Sequence, residues 1–343
     1  MNITIPDNET RIFSGHQLEN KVKFINIQDN NLDKSHVMVS VNVGSIFNPN
    51  EYQGLAHFLE HMLFLGSEKY PGEDSFEKFL NENGGSSNAY TDTFETVYYF
   101  SIFNDKLEKA IDMFSRFFID PLFDQDSVDR EINAIESEHS KNIQQDNWRF
   151  HHFIGLSSKK DSMINKFLTG NLLSLKKEGI RENMIDFYKK YYVSSNISVV
   201  TISSIKNEKI KEFVTNSFSK IPMVKVKPTI NLNKPFFEKK SQSFFIKSVS
   251  KKYSLNYYWE IPTFDKNYNF THTPYIISNV ISGDNEKSLK RFLINEGLIK
   301  YLFVEILPEG LLIVHFELSK IENWQKVDSY FRFYMNDIKN KDW

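Results

Sequence analysis

The chain has 343 residues and a mass of 40.4 kDa, enough for two domains of ordinary size, or for one large domain and part of another. Lys+Arg 42 against Asp+Glu 44 leaves a formal net charge of -2, so no global field recruits nucleic acid or an anionic membrane. Cysteine is absent, which excludes disulfides, thiolate zinc sites and a Cys nucleophile together, and the 31 Phe make the apolar content unusually aromatic.

The opening residues lack a basic segment followed by an apolar run, and no apolar span approaches the roughly 20 residues of a membrane helix. A soluble chain, cytoplasmic or otherwise intracellular, without secretory signal or membrane span, is therefore expected. From His36 to Phe47 the alternation of Val with polar residues predicts a strand, followed by an Asn/Pro loop and a helix over Gly54 to Ser67. A second helix, "DSFEKFLNENG", starts near Asp74 or Ser75 and ends at Gly84. "SSNAYTDTFETVYYFSIF" is rich in β-branched and aromatic residues and reads as one or two strands. Helices are expected at "DKLEKAIDMFSRFFI" and along "DSVDREINAIESEHSKNIQQDNWRFHHFI". A later helix, "RENMIDFYKKYY", leads into the strand "NISVVTISSI".

Pro222, Pro228 and Pro235 punctuate a stretch of weak helical character, and the domain boundary is placed there. Beyond it come strands near "SQSFFIKSV" and "KYSLNYYWEI", helices at "TPYIISNVIS" and "KSLKRFLINEG", strands in "YLFVEILPEGLLIVHFEL" and a last helix "ENWQKVDSYFRFYMNDI". The expected class is α+β: a mixed sheet with helices packed on one face over residues 1–230, then a second, incomplete copy of similar architecture over 236–343.

Within the helix that starts at Gly54, His57, Glu60 and His61 stand at i, i+3 and i+4, so they project from one face among leucines and phenylalanines. Burying such groups unpaired costs several kcal/mol apiece on transfer scales, by roughly 2–7 kcal/mol for a neutral polar group. A metal ion would offset that cost. His57-Phe58-Leu59-Glu60-His61 is an H-x-x-E-H motif, the inversion of the H-E-x-x-H zinc motif. Two imidazoles at i, i+4 can converge on one ion at about 2.0–2.1 Å, while Glu60 is directed at water instead of metal. A third protein ligand is needed, and "DREINAIESEHSKN" offers Glu131, Glu136 and Glu138. Glu131 and Glu138 share one helix face, with Ala134 between them to let two helices approach, and Glu136 points elsewhere. The bland alternative is a solvated acidic face. His139 points away from Glu138, His151 and His152 sit on an aromatic helix face and are read as structural, and His16, His36, His272 and His315 are isolated.

Together with "GLAHFLEHMLFLGSEKYP", "NGGSSNAYTDTFETVYYF", "REINAIESEHSKN", "DNWR", "TGN" and "YYVSSN", in that order, the motif resembles the amino-terminal part of the insulysin/pitrilysin-type inverzincin metallopeptidases. The resemblance covers the first domain nearly end to end and the second more faintly. It implies that the third ligand is Glu138, with Glu131 as its supporting acidic residue and one Zn2+ per chain. It further implies hydrolysis of peptides or small proteins through a metal-activated water, with Glu60 as general base. "SSNAYT" matches the family's edge strand, on which substrate lies as an added strand, and Asn88 and Ala89 are carried over as substrate contacts.

Members of this family resemble four such domains in two halves, and the second half brings an Arg and a Tyr that hold substrate. The second domain of insulysin-like members also carries a Gly-rich segment that anchors the substrate's amino terminus. Its place here, Gly283 to Leu289, lacks the glycines, and that site is not transferred. Three functions follow as expectations: an active zinc endopeptidase, a zinc-binding subunit needing a homodimer partner or second chain to complete the chamber, or a peptide-binding relic without turnover.

Overall fold

The computed structural model describes residues 3–224, 236–239, 241–261, 273–307 and 309–340. They sort into two units, one of Met1–Ile143 with Lys166–Leu232 and the other of Gln144–Asn165 with Asn233–Trp343. The proline-punctuated boundary lies mostly outside the described residues, as does His272.

In the first unit β1 (Ile12–Gln17), β2 (Lys23–Gln28) and β3 (Lys34–Val41) precede α1 (Leu55–Met62) and α2 (Ser75–Glu82). A hairpin of β4 (Ser86–Thr91) and β5 (Thr96–Phe103) follows, then α3 (Leu107–Ser115) and α4 (Gln125–Asn142). After α5 (Asp146–Ser157), which belongs to the second unit, the chain returns for α6 (Leu172–Leu175), α7 (Ile180–Tyr191), β6 (Ile197–Ser203) and α8 (Asn207–Phe218). The sheet is mixed, in the order β1-β2-β6-β3-β5-β4, with β2 parallel to β6 and every other pairing antiparallel.

Period-two alternation decides which face takes the helices. On β3, Val37, Val39 and Val41 are buried while His36 and Met38 are exposed, and β6 buries Ile197, Val199, Thr201 and Ser203 in the same way. The buried face packs with Leu55, Phe58, Leu59 and Met62 of α1, Ile111 and Phe114 of α3, and Val214 and Phe218 of α8 in one core. Phenylalanine fills it edge-to-face: Phe76 meets Phe100 at 5.7 Å and 90°, and Phe114 meets Phe118 at 5.6 Å and 89°.

The strand expected through Phe47 stops at Val41. Beyond it the Ser45 N–H donates to the Asp92 carbonyl at 2.9 Å, and a Cβ on Gly44 would stand 2.2 Å from that same oxygen. The backbone approach, not a sheet partner, shapes those residues. The helix expected from 54 to 67 is shorter, ending at Met62, and the long helix expected after Asp126 is two, α4 and α5, separated where Gln145 takes extended backbone. β1, β2 and α8 were not foreseen.

The second unit has an antiparallel sheet in the order β7-β9-β8, from β7 (Tyr253–Glu260), β8 (Ile299–Leu307) and β9 (Leu311–Leu318). Between β7 and β8 lie α9 (Thr273–Ser282) and α10 (Leu289–Asn295), and α11 (Trp324–Lys339) closes the unit. Leu293, Leu302, Val314, Phe316, Val327 and Phe331 form its core. Where a strand is expected at "SQSFFIKSV", residues 241–249 pair with no strand among the described residues, and Phe245 is 91% exposed.

Candidate metal centre

Gly54, at φ 88°, turns the chain into α1, and seven of the eight residues of that helix are buried. His57 is 6% and Glu60 7% exposed, and both have partners. The Nδ1 of His57 lies 3.0 Å from the Thr169 carbonyl, which can only accept, so a hydrogen bond there needs the ring's proton on Nδ1. On His61, Nδ1 lies 3.1 Å from Glu131 Oε2. Both Nε2 atoms point to α4, each 3.6 Å from Glu138 Oε2, and the two rings meet nearly perpendicular, at 77° with centroids 4.7 Å apart.

Ligand atoms of His57, His61 and Glu138 all lie within 4.8 Å of one another. Tetrahedral donors about 2.0–2.2 Å from one ion stand roughly 3.3–3.6 Å apart, and the 3.6 Å from each Nε2 to Glu138 Oε2 matches that spacing. Two imidazole nitrogens and a carboxylate oxygen are also the right donor chemistry, and each imidazole has its far nitrogen held.

Charge follows from the same contacts. Burial lowers His57 to about 4, which leaves it neutral at pH 7. Burial also acts to lower His61, but hydrogen bonds with Glu131 and Glu138 outweigh it and raise the ring to about 9. Without a cation His61 is thus an imidazolium, and a metal must displace its proton. The bond to His61 holds Glu138 below the usual carboxylate range. Glu60 is different: burial pushes it up to about 7, against the opposing pull of the Thr91 hydroxyl, whose Oγ1 donates to Glu60 Oε2 at 2.5 Å.

The other acidic candidate of α4, Glu136, accepts the Leu172 N–H at 2.7 Å and does not face the histidines. His139 packs on Phe167, with ring centroids 5.4 Å apart. Ala134 is exposed, and Val128, Ile132 and Ile135 carry the buried face of α4 instead of the small residue expected there. Asn88 and Ala89 lie on β4, an edge of the sheet, where the Ala89 N–H donates to Asn88 Oδ1 at 2.9 Å. Two contributors escaped the sequence reading. Thr91 ends the very stretch singled out for its edge strand, and Thr169 acts through its carbonyl, which no side-chain pattern can announce.

A helix presenting H-x-x-E-H to a glutamate of a second helix is the arrangement of the inverted-motif zinc peptidases. Residues 23–155 match the family described as "Insulinase (Peptidase family M16)", and residues 180–343 match "Peptidase M16 inactive domain". The chain belongs to the M16 insulinase family. It is 33% identical over 322 residues to the insulin-degrading enzyme homolog of Dictyostelium discoideum, covering 91% of this chain and 33% of that protein. With the human insulin-degrading enzyme it shares 38% identity over 225 residues, 64% of this chain and 22% of that one. The crystal structure of pitrilysin superposes with a TM-score of 0.83 at 25% identity, over 98% of this chain and 37% of pitrilysin. The chain thus spans at most about a third of the length of these curated relatives. Among the described residues no helix is long and apolar enough to cross a membrane.

Proposed function

We propose that the first unit is the metal-bearing domain of a zinc-dependent endopeptidase acting on peptides or small proteins. The observation that carries this is the convergence of His57 Nε2 and His61 Nε2 on Glu138 Oε2, with Glu60 one turn along the same helix face and engaged elsewhere. A zinc ion held by those three residues would supply the Lewis acidity that brings the pKa of water from 15.7 to about 7.

The rest is done by the chain. Glu60 Oε2 is occupied by the Thr91 hydroxyl, which leaves Oε1 to take a proton from water and return it to the leaving amine nitrogen. The burial of Glu60, which pushes the carboxyl up from its ordinary range, suits it to hold and return a proton. Glu131 orients His61 through Nδ1 and the Thr169 carbonyl orients His57. The free edge of β4 receives the peptide as an added strand, so that recognition is by main chain and tolerant of sequence, with Asn88 and Ala89 as contacts.

The test is zinc analysis of the purified chain together with cleavage of a quenched fluorescent peptide. One zinc per chain and cleavage abolished by a chelator are expected. A chain that binds zinc and cleaves nothing, with or without an added homologous chain, would overturn the enzymatic reading.

A further inference from the structure

The segment Thr169-Gly170-Asn171, whose Thr169 carbonyl meets His57 Nδ1, is tightly constrained backbone beside the site. It crosses the start of α1 main chain to main chain. A Cβ on Gly54 would stand 2.3 Å from Gly170 Cα, and one on Gly170 would stand 3.0 Å from both the Gln53 carbonyl oxygen and Gly54 Cα. Both glycines have positive φ, 88° and 71°. Separate tethers hold the segment on either side of the crossing. Lys166 Nζ donates to the Asn48 carbonyl at 2.7 Å, and the Phe167 N–H donates to Gln53 Oε1 at 3.0 Å. Past the crossing, Asn171 caps α6 by accepting the Ser174 N–H at 3.0 Å, and Glu136 takes the Leu172 N–H.

All this fixes the Thr169 carbonyl against His57 Nδ1, where it meets a competition. A neutral imidazole carries one proton, and His57 has an acceptor at each nitrogen: the Thr169 carbonyl at Nδ1, and the Glu138 carboxylate 3.6 Å from Nε2. Glu138 draws the proton to the nitrogen that must be bare to bind a metal. The carbonyl draws it away.

We infer that the segment from Lys166 to Asn171, seated by the Gly54–Gly170 crossing, is a positioning device that holds His57 in its Nδ1–H tautomer and thereby sets the affinity of the site for zinc. This rests on the reading of His57 as a ligand, but the tautomer is measurable with no metal and no substrate present.

The experiment uses the full chain with 15N-labelled histidine, stripped of metal at neutral pH, followed by a zinc titration against a competing chelator. In the unaltered chain His57 should show a protonated Nδ1 and a bare Nε2. Gly170→Ala should shift His57 toward the Nε2–H form and weaken zinc binding roughly 10–100-fold, the usual cost of losing a partner that orients a ligand. Gly297→Ala is the control for backbone strain alone, since Gly297 also has positive φ, 67°, and a Cβ there meets nothing within 4 Å; tautomer and affinity should not move. Should Gly170→Ala fail to fold, Gln53→Leu removes the Phe167 tether and Gln53→Glu restores an acceptor, so the first should shift the tautomer and the second should return it. A folded Gly170→Ala or Gln53→Leu chain with unchanged His57 tautomer and zinc affinity would overturn the inference, as would an Nε2–H tautomer in the unaltered chain. A chain that shows the segment-dependent tautomer but takes up no zinc would instead sink the metal-centre reading while supporting the positioning role.

Discussion

Glu60 and Glu131 are both carboxylates beside the same pair of histidines, and their environments assign them opposite duties. Glu60 is buried, raised to about 7 and bonded to the Thr91 hydroxyl, so replacing it removes a proton acceptor and no ligand. Glu60→Gln should therefore keep one zinc and lose turnover by roughly 10²–10⁴-fold. Loss of zinc in that variant would remove Glu60 from the base role. Glu131→Ala leaves His61 Nδ1 without its carboxylate, and zinc affinity should fall about 10–100-fold without the site being abolished. Thr91→Val keeps the shape and deletes the hydroxyl; kcat should drop with KM and zinc content unchanged, and Thr91→Ser should restore it. Helical spacing was enough to place His57, Glu60 and His61 together, because i, i+3 and i+4 on a helix need no further information. Which atom each partner engages was not legible: Thr169 contributes a backbone oxygen from a segment more than a hundred positions away.

At the scale of elements, β4 is an edge whose Ala89 N–H is already satisfied by the neighbouring Asn88 side chain. An edge strand tolerates proline where its N–H faces away from its partner. Ala89→Pro should leave the melting temperature nearly unchanged and raise KM for peptides several-fold; an unaltered KM would mean that this N–H is not used in recognition. The elements that sequence patterning located best are those with one clean face, such as β3 and β6. β1 was missed because its residues are mostly half-buried, which blunts alternation. α8 does carry the helical period in Ile210, Phe213, Val214 and Phe218, so nothing physical hid it. The division between α4 and α5 is another matter. The turn there is secured from afar, by Asp146 accepting the Val249 and Ser250 N–H groups at 2.8 and 3.0 Å, and no local signal encodes that.

The same contact gives the second unit a pH dependence. Burial acts to raise Asp146, but hydrogen bonds from the Ser250 hydroxyl and the two backbone N–H groups outweigh it and hold the carboxyl below its ordinary value. Because the folded-state pKa is depressed, the stabilisation is complete above the unfolded value, near 3.9, and disappears as pH falls through the lower folded value. Denaturant melts of the unaltered chain and of Asp146→Asn should differ at neutral pH and converge as pH falls below the unfolded value and through the lower folded one. A difference that persisted undiminished in acid would show that the contact does not act through charge.

β6 has one more consequence, and it concerns synthesis. It lies between β2 and β3 in the sheet, with Lys23 opposite Ser198 and Val39 opposite Val199. A ribosome adding about 5–20 residues per second takes on the order of ten seconds to pass from β2 to β6. For that interval β2 and β3 are made but cannot close on their central partner, and two strand edges stand open on the nascent chain. Arrested chains ending before β6 should be cut readily by a protease at Val37 to Val41, and protection should appear in one step once residue 203 has left the exit tunnel. Protection arriving earlier would mean that the hairpin of β4 and β5 suffices to nucleate the sheet without its middle strand.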